Sequence, residues 1–179
     1  YYLQDINFSI ICLRMGTVCG YSERMRFDTV INAMFKDAIL TNTISVNNKD
    51  IYRPILSIKD ACNAYIKSIN VDYNISGIFN ISSVNISIGE LSTKIANHLY
   101  KLSGKLITIN IKNIPDNRNY VIKIEKAANI LNFIPNYNIE DIVEELYINL
   151  DNYKHSLDNN IYYNIKIFKN TIKGTFRNE

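Results

Sequence analysis

Two arginines are the residues whose type and placement best suit an anion. Arg53 follows a predicted strand, and Arg118 lies in a loop after Pro115. Either one alone is typical of a surface arginine in a weak ion pair. Two guanidinium groups that face one crevice match the oxygens of a diphosphate, because each planar fork can donate two parallel hydrogen bonds. The pair therefore indicates an anion-binding site, and surface ion pairing is the alternative.

A second candidate region is the segment Met15-Gly16-Thr17-Val18, which leaves an apolar, β-branched run over 8–13. In doubly wound folds, ligands bind where the strands end. Gly16 and Gly20 would also permit a tight turn, and the two interpretations are compatible. The next basic residues, Arg24 and Arg26, either reach a ligand or only cap the loop, and the sequence leaves both open.

The elements that would position these residues alternate between strands and helices, which predicts an α/β domain with at least part of a parallel sheet. Ser57 and Asp60 are candidate caps for a helix that begins near residue 60, and Ser87 with Glu90 has the spacing of a capping box. The predicted strands cover 8–13, 43–46, 52–58, 77–81 and 106–111, and the predicted helices cover 27–40, about 60–69, 87–102, 123–132 and 139–150.

Composition narrows the possible partners. The net charge is +3 and the basic residues are dispersed, so nucleic acid is not predicted as a partner. No apolar stretch approaches the ~20 residues that span a bilayer, so no membrane segment is predicted. Cys12 and Cys62 lie in apolar runs and are interpreted as small core residues, which suits a reducing cytoplasm.

The two histidines do not add a catalytic or metal site. His98 and His155 have no partners at the spacing of a catalytic triad or a metal centre. Surface or packing roles are therefore expected for both, and no metal ligand is predicted.

Two ordered sets of motifs resemble the second half of the extended short-chain dehydrogenases/reductases, the NAD-dependent epimerase/dehydratase family that acts on nucleotide sugars. That family's pattern runs LRxGTVYG, then a helix, a strand with Arg-Pro or Arg-Asp, and later DxRxY and KxxxLGFxP. This chain has LRMGTVCG over 13–20, RMRFD over 24–28, YRPI over 52–55, DNRNY over 116–120 and LNFIP over 131–135. The resemblance covers roughly residues 6–150.

The resemblance implies roles for particular residues. Met15, Gly16, Thr17 and Val18 match the segment that passes the nicotinamide end of an NAD or NADP cofactor. The positions matching the nucleotide-sugar site are Thr29, Val30, Asn32, Ile44, Val46, Asn47, Arg53 and Arg118, with the two arginines on the diphosphate and ribose. Val30, Ile44 and Val46 have a plain alternative as core residues, and Asn32 has one as a solvated helix residue.

The resemblance also implies what this chain leaves to the rest of such an enzyme. The family's G-x-x-G-x-x-G and catalytic Tyr-x-x-x-Lys belong to its first half and are expected to lie outside this chain, so no catalytic residue is assigned here. We predict the substrate-binding portion of a cytoplasmic NAD(P)-dependent nucleotide-sugar epimerase/dehydratase, inactive alone. The alternative is a non-catalytic nucleotide-sugar-binding remnant or module.

Domain organisation and assembly follow the same interpretation. Residues 1–150 are predicted to form the last Rossmann strands and the substrate-binding subdomain. Residues 151–179 are a divergent tail, interpreted as either an edge strand or disordered. A homodimer is an assembly that the resemblance allows for the full-length enzyme.

Overall fold

The chain alternates short strands with helices throughout. The computed structural model describes residues 9–116 and 118–175. Its strands are β1 (Ile11–Met15), β2 (Thr17–Cys19), β3 (Thr43–Val46), β4 (Tyr52–Ser57), β5 (Gly77–Ile81), β6 (Val84–Ser87) and β7 (Thr108–Ile111). Its helices are α1 (Val30–Thr41), α2 (Ile58–Ile69), α3 (Ile88–Ser103), α4 (Glu125–Leu131), α5 (Ile139–Ile148), α6 (Leu150–Tyr153) and α7 (Asn164–Thr175). Within these described ranges, no helix is long and apolar enough to cross a bilayer.

The strands form three small sheets in which parallel pairing predominates. β1 pairs in parallel with β5, and β3 pairs in parallel with β7. In the third sheet, β4 lies between β2, which is parallel to it, and β6, which is antiparallel. The predicted α/β class with parallel strands is therefore confirmed.

Backbone hydrogen bonds join the β1–β5 sheet to the β2–β4–β6 sheet. The Gly16 N–H donates to the Ile81 carbonyl at 2.8 Å, and the Ser83 N–H donates to the Ile55 carbonyl at 2.7 Å. A single residue, Gly16, separates β1 from β2 along the chain. The two sheets are therefore joined both by this connection and by hydrogen bonds.

Two separate apolar clusters stabilise the molecule. The larger, here called the large core, packs α1, α3 and α5 against β3, and includes Ile31, Phe35, Ile44, Val46, Leu91, Ile95, Leu99, Ile142, Val143 and Leu146. The smaller, here called the small core, packs α2 and α4 against β5, and includes Ala61, Ala64, Phe79, Ile81, Ala127, Leu131 and Phe133.

Serine side chains cap the N-termini of two helices. The Ser57 hydroxyl accepts a hydrogen bond from the Asp60 N–H at 2.9 Å, and the Ser87 hydroxyl accepts one from the Glu90 N–H at 3.2 Å. Both predicted helix starts are confirmed. Helices α1 and α4 end at Asn42 and Asn132, whose φ angles of 52° and 51° are left-handed.

Asp60 connects the small core to two neighbouring loops. Its side chain is fully buried at the start of α2. One carboxylate oxygen accepts a hydrogen bond from the Asn136 N–H at 2.9 Å, and the other accepts from the Ser83 hydroxyl at 2.6 Å and from the Tyr137 N–H at 3.3 Å. A single carboxylate thus holds three chain segments together.

The interpretation of the C-terminal tail as an edge strand or disordered is wrong for its described part. Residues 150–175 form α6, two short 3₁₀ turns over Lys154–Ser156 and Asn160–Tyr162, and α7. The physical reason is that Tyr153, Leu157 and Tyr163 lie at spacings that bury them in the large core. The domain boundary at residue 150 stays a prediction.

Other local predictions also differ from the structure. Cys12 and Cys62 are exposed and are not core residues. Cys12 points to the face of β1 opposite Ile11 and Leu13, which pack on the small core. Helix α1 begins at Val30, three residues later than the predicted start at residue 27. Strands β2 and β6 were not predicted. The predicted strand residue Phe8 and the motif residue Asn117 lie outside the described residues.

Candidate functional site

An open cleft of about 800 Å³ lies where β1, β2 and β4 meet the start of α1 and the loop around residue 116. Its lining mixes charged and polar side chains with backbone from the strand ends. Among the lining residues are four arginines and three aspartates, which are Arg24, Arg26, Arg53, Arg118, Asp28, Asp37 and Asp116. Such a surface is suited to a polar, charged ligand rather than an apolar one.

Most of the residues singled out in the sequence meet in this cleft. The lining includes Met15, Gly16, Thr17, Val18, Thr29, Val30, Asn32, Asn47, Arg53 and Arg118. These positions are far apart in the chain, and the fold brings them to one surface. Their roles toward a cofactor or a substrate remain predictions.

Ile44 and Val46 do not line the cleft. Both side chains are fully buried in the large core, as their plain alternative holds. Side chains alternate across a strand, so Ser45 between them faces the cleft instead. The period of two in β3 was the signal that could have identified Ser45.

The two predicted anion-binding arginines share one carboxylate. Arg118 donates from Nε to Asp116 Oδ1 at 2.9 Å and from Nη2 to Asp116 Oδ2 at 2.7 Å, and Arg53 donates from Nη2 to Asp116 Oδ2 at 3.3 Å. Hydrogen bonds from the Arg118 side chain and backbone lower the pKa of Asp116 to about 2. Asp116 is therefore a carboxylate at neutral pH, and sequence reasoning had not assigned it a role.

Arg53 and Arg118 differ sharply in exposure. The Arg118 side chain is 76% exposed and the Arg53 side chain only 10%. Within the described part of the chain, Arg53 Nη1 is buried and has no hydrogen-bond partner. Buried polar groups are nearly always paired. Arg53 therefore carries an unused donor beside the cleft, whereas Arg118 fits the alternative of an exposed ion pair.

Asn32 fixes the backbone at the end of β2. Its side-chain oxygen accepts from the Gly20 N–H and its amide nitrogen donates to the Gly20 carbonyl, both at 3.1 Å. Asn32 is 3% exposed, so the alternative of a solvated helix residue is wrong. Gly20 has a φ of +127°, which favours glycine. This pair sets where the chain turns along the cleft.

Gly16 allows two backbones to approach closely at the floor of the cleft. A Cβ at this position would lie 2.9 Å from the Pro54 carbonyl oxygen. Any side chain here would therefore push the end of β1 away from β4, the strand that carries Arg53.

The other two cleft arginines are held by intramolecular partners. Arg26 Nε donates to Asp28 Oδ1 at 3.0 Å. Arg24 Nη2 donates to the Ile161 carbonyl at 3.2 Å and to Asn164 Oδ1 at 3.1 Å. These contacts agree with the interpretation that Arg24 and Arg26 cap the loop. Contact of either arginine with a ligand stays a prediction.

One Tyr-x-x-x-Lys spacing does occur in the chain, at Tyr162 and Lys166, although the catalytic motif of that spacing is expected to lie outside it. Lys166 Nζ donates to Asn160 Oδ1 at 3.1 Å and lies 4.2 Å from the Tyr163 ring centroid. Neither Tyr162 nor Lys166 is among the described residues that line the cleft. The pair is therefore not placed to act on a ligand there.

Solved structures that are similar to this chain include nucleotide-sugar epimerases. The chain is similar to the UDP-N-acetylglucosamine 4-epimerase from Bacillus cereus, with 24% identity and a TM-score of 0.68 over 84% of this chain and 51% of that chain. It is similar to the UDP-glucuronic acid 4-epimerase from Bacillus cereus in complex with UDP-glucuronic acid and NAD, with 26% identity and a TM-score of 0.66 over 86% of this chain and 48% of that chain. The ADP-L-glycero-D-manno-heptose-6-epimerase from Helicobacter pylori matches at 18% identity and a TM-score of 0.65, over 80% of this chain and 45% of that chain.

These similarities define the class of the fold. The chain has the fold of the C-terminal half of the extended short-chain dehydrogenases/reductases, and the resemblance read from its motifs is confirmed. It spans about half the length of these solved structures. No family profile matches the sequence. No curated protein matches it either.

Proposed function

We propose that this chain is the substrate-binding portion of an NAD(P)-dependent nucleotide-sugar epimerase or dehydratase. The single observation that carries the proposal is the unpaired, buried Nη1 of Arg53 beside the cleft. Arg53 lines the cleft, so a shift of its side chain toward the cleft would bring that donor to a diphosphate oxygen, and a charged hydrogen bond of this kind is among the stronger contacts that proteins make.

The diphosphate is the part of the ligand that this site suits best. Arg53 is almost fully covered, so its charge acts where water screens it weakly. Arg118 keeps donors that Asp116 does not use, but it is 76% exposed, so water screens its charge more strongly. Arg53 is accordingly the principal phosphate-binding residue, and Arg118 is the secondary one.

The cofactor would lie along Met15, Gly16, Thr17 and Val18. These residues line the cleft at the end of β1, where parallel sheets bind ligands. When bound, the nicotinamide of NAD or NADP would accept a hydride from a sugar carbon. The residues of this chain would orient the sugar, and orientation matters because a displacement of about 1 Å can cost roughly 100-fold in rate. Turnover itself is assigned to the other half of the enzyme.

Calorimetric titration of the chain with UDP-, CDP- and GDP-sugars tests the proposal. We expect Arg53→Ala to weaken binding by about 10- to 100-fold, the equivalent of one lost charged hydrogen bond. Arg118→Ala should weaken it less, because that side chain is exposed. Arg53→Lys, which keeps the charge but loses the fork, should fall between wild type and Arg53→Ala.

Lys101→Ala is the matched control, since it removes one positive charge from the exposed end of α3 and should bind as wild type does. Thermal melts of every variant establish that it is folded. Absence of binding heat with all three sugar classes in the folded chain would refute the proposal. So would an Arg53→Ala variant that binds as tightly as the wild type.

A further inference from the structure

The C-terminal segment over 153–166, here called the strap, runs behind one wall of the cleft. That wall is the cleft loop, residues 21–28, which contributes Ser22, Arg24, Arg26 and Asp28 to the lining. No described residue of the strap itself lines the cleft. The strap therefore affects a ligand only indirectly, through the cleft loop or through α1, where Lys36 Nζ donates to the Tyr163 hydroxyl at 3.2 Å.

Hydrogen bonds hold the strap to this loop along its length. The Phe27 N–H donates to the Tyr162 carbonyl at 3.1 Å, and the Ile165 N–H donates to Asp28 Oδ2 at 3.4 Å. The Arg24 guanidinium donates to Ile161 and Asn164, as described above. The loop is thus tied near its middle and at its end.

An aromatic cluster anchors the same contact. Phe27 is 2% exposed, and its ring centroid lies 5.8–6.0 Å from those of Tyr153, Tyr162 and Tyr163. The Tyr153 hydroxyl donates to the Leu146 carbonyl and the Tyr163 hydroxyl to the Leu157 carbonyl, both at 2.6 Å. Because these buried hydroxyls are satisfied, the rings are fixed in place, and so is the Phe27 side chain between them.

Arg24 differs from the other exposed cleft arginines in the charge of its partners. Arg26 is paired with Asp28, and Arg118 is paired with Asp116, so a carboxylate offsets each charge. The strap offers Arg24 only neutral acceptors, a carbonyl and a side-chain amide. Its guanidinium is therefore held in one place, and among the described residues no carboxylate forms an ion pair with it.

We propose that the strap is a positioning device for the cleft, which fixes the cleft loop and holds Arg24 at the cleft wall as an available cation for a phosphate group of the ligand. The positioning residues are Asn164, which acts through Arg24, and Tyr162, which acts through Phe27. This inference rests on the proposed function for the identity of the ligand, but not for the mechanical role of the strap.

Two substitutions of Asn164 in the full chain separate position from charge. Asn164→Leu removes the acceptor, so trypsin cleavage after Arg24 should accelerate by about tenfold, and UDP-sugar affinity should fall several-fold. Asn164→Asp keeps an acceptor but cancels the charge, so cleavage should stay slow while UDP-sugar affinity falls. Phe168→Ala, at a residue that is 67% exposed, is the matched control and should leave both unchanged.

Cleavage sites are identified by mass spectrometry, and thermal melts verify the folding of each variant. Unchanged cleavage after Arg24 in a folded Asn164→Leu variant overturns the positioning role. An Asn164→Asp variant that binds the UDP-sugar as tightly as the wild type overturns the charge role.

Hydrogen exchange on the unmodified chain gives a test that needs no variant. The Phe27 amide should exchange at the same free energy of opening as the strap amides, because release of the strap breaks its bond to Tyr162. A Phe27 amide that exchanges far faster than the strap argues against the device. If wild type binds no nucleotide sugar, the proposed function fails, while cleavage and exchange still decide the role of the strap.

Discussion

The large core and the small core differ in how completely the surrounding elements cover them. The large core is enclosed by α1, α3 and α5 and by the buried tyrosines of the strap. The small core covers only one face of the β1–β5 pair with α2 and α4. On the other face, Ile10 is 36% exposed and Ile78 is 47% exposed. The large core is thus enclosed on all its sides, whereas the β1–β5 sheet is covered on one face only.

Parallel sheets occur almost only with both faces covered. A second apolar surface lies beside β1, where Tyr65, Ile69 and Tyr73 of the α2 region line a groove with Ile11 and Leu13. Ile69 is 80% exposed and Tyr73 87% exposed. Since the solved structures with this fold are about twice as long, we expect these surfaces to pack against the remainder of such a fold.

The largest effect should come from emptying the large core. Phe35→Ala should lower the free energy of unfolding by about 3–5 kcal/mol, because Phe35 is 1% exposed and the closed cluster cannot collapse around the cavity. Phe79→Ala in the small core should cost less, because that cluster is smaller and covered on one face only, so its side chains can relax around the cavity. Denaturant unfolding followed by circular dichroism measures both. Equal losses would show that the two cores are enclosed to the same degree.

A smaller effect is expected at the contact between the two regions. Asp60→Ala should lower the free energy of unfolding by about 2–3 kcal/mol, because three partly buried hydrogen bonds would lose their acceptor. Asp60→Asn keeps one acceptor oxygen and should cost less. Differential scanning calorimetry should show the single transition broadening or splitting in Asp60→Ala. A sharp, unsplit transition would mean that other contacts connect the regions.

The smallest effect should come from the uncovered face. Ile78→Ser should change the free energy of unfolding by no more than about 0.5 kcal/mol in this chain, as is usual for exposed positions. Ile81→Ser is the matched control, because Ile81 lies on the same strand but is fully buried, and it should cost several times more. Denaturant titration of the two variants compares them directly. Similar costs would indicate that the Ile78 face is covered, for instance by self-association.

Sequence reasoning succeeded where one local signal decides the structure. Ser57 and Ser87 each stop a strand and cap a helix, because a hydroxyl beside a free N–H works without tertiary help. It failed where tertiary contacts decide. Strand β2 has only three residues, too few for a periodic pattern, and is formed by pairing with β4. The strap was missed because its tyrosines are ordered by Phe27, more than a hundred positions earlier.

In the candidate site, too, sequence motifs predicted which residues matter but not their tertiary contacts. The motifs placed Arg53 and Arg118 in one cleft, but they could not reveal that Asp116 holds both. Nor could they separate a buried arginine with a free donor from an exposed one. Those distinctions depend on the path of the loop around residue 116, which no spacing in the sequence specifies.

Asparagine occupies the left-handed position at the end of α1 and of α4 in a chain that has few glycines. The chain has only 6 glycines among 179 residues, and asparagine occupies the left-handed position after Leu131 where the related motif has glycine. Asparagine is the non-glycine residue best able to adopt this conformation, since its side chain can bond to the local backbone. Asn42 and Asn132 therefore end their helices without glycine, so glycine at these two positions is not required by the fold.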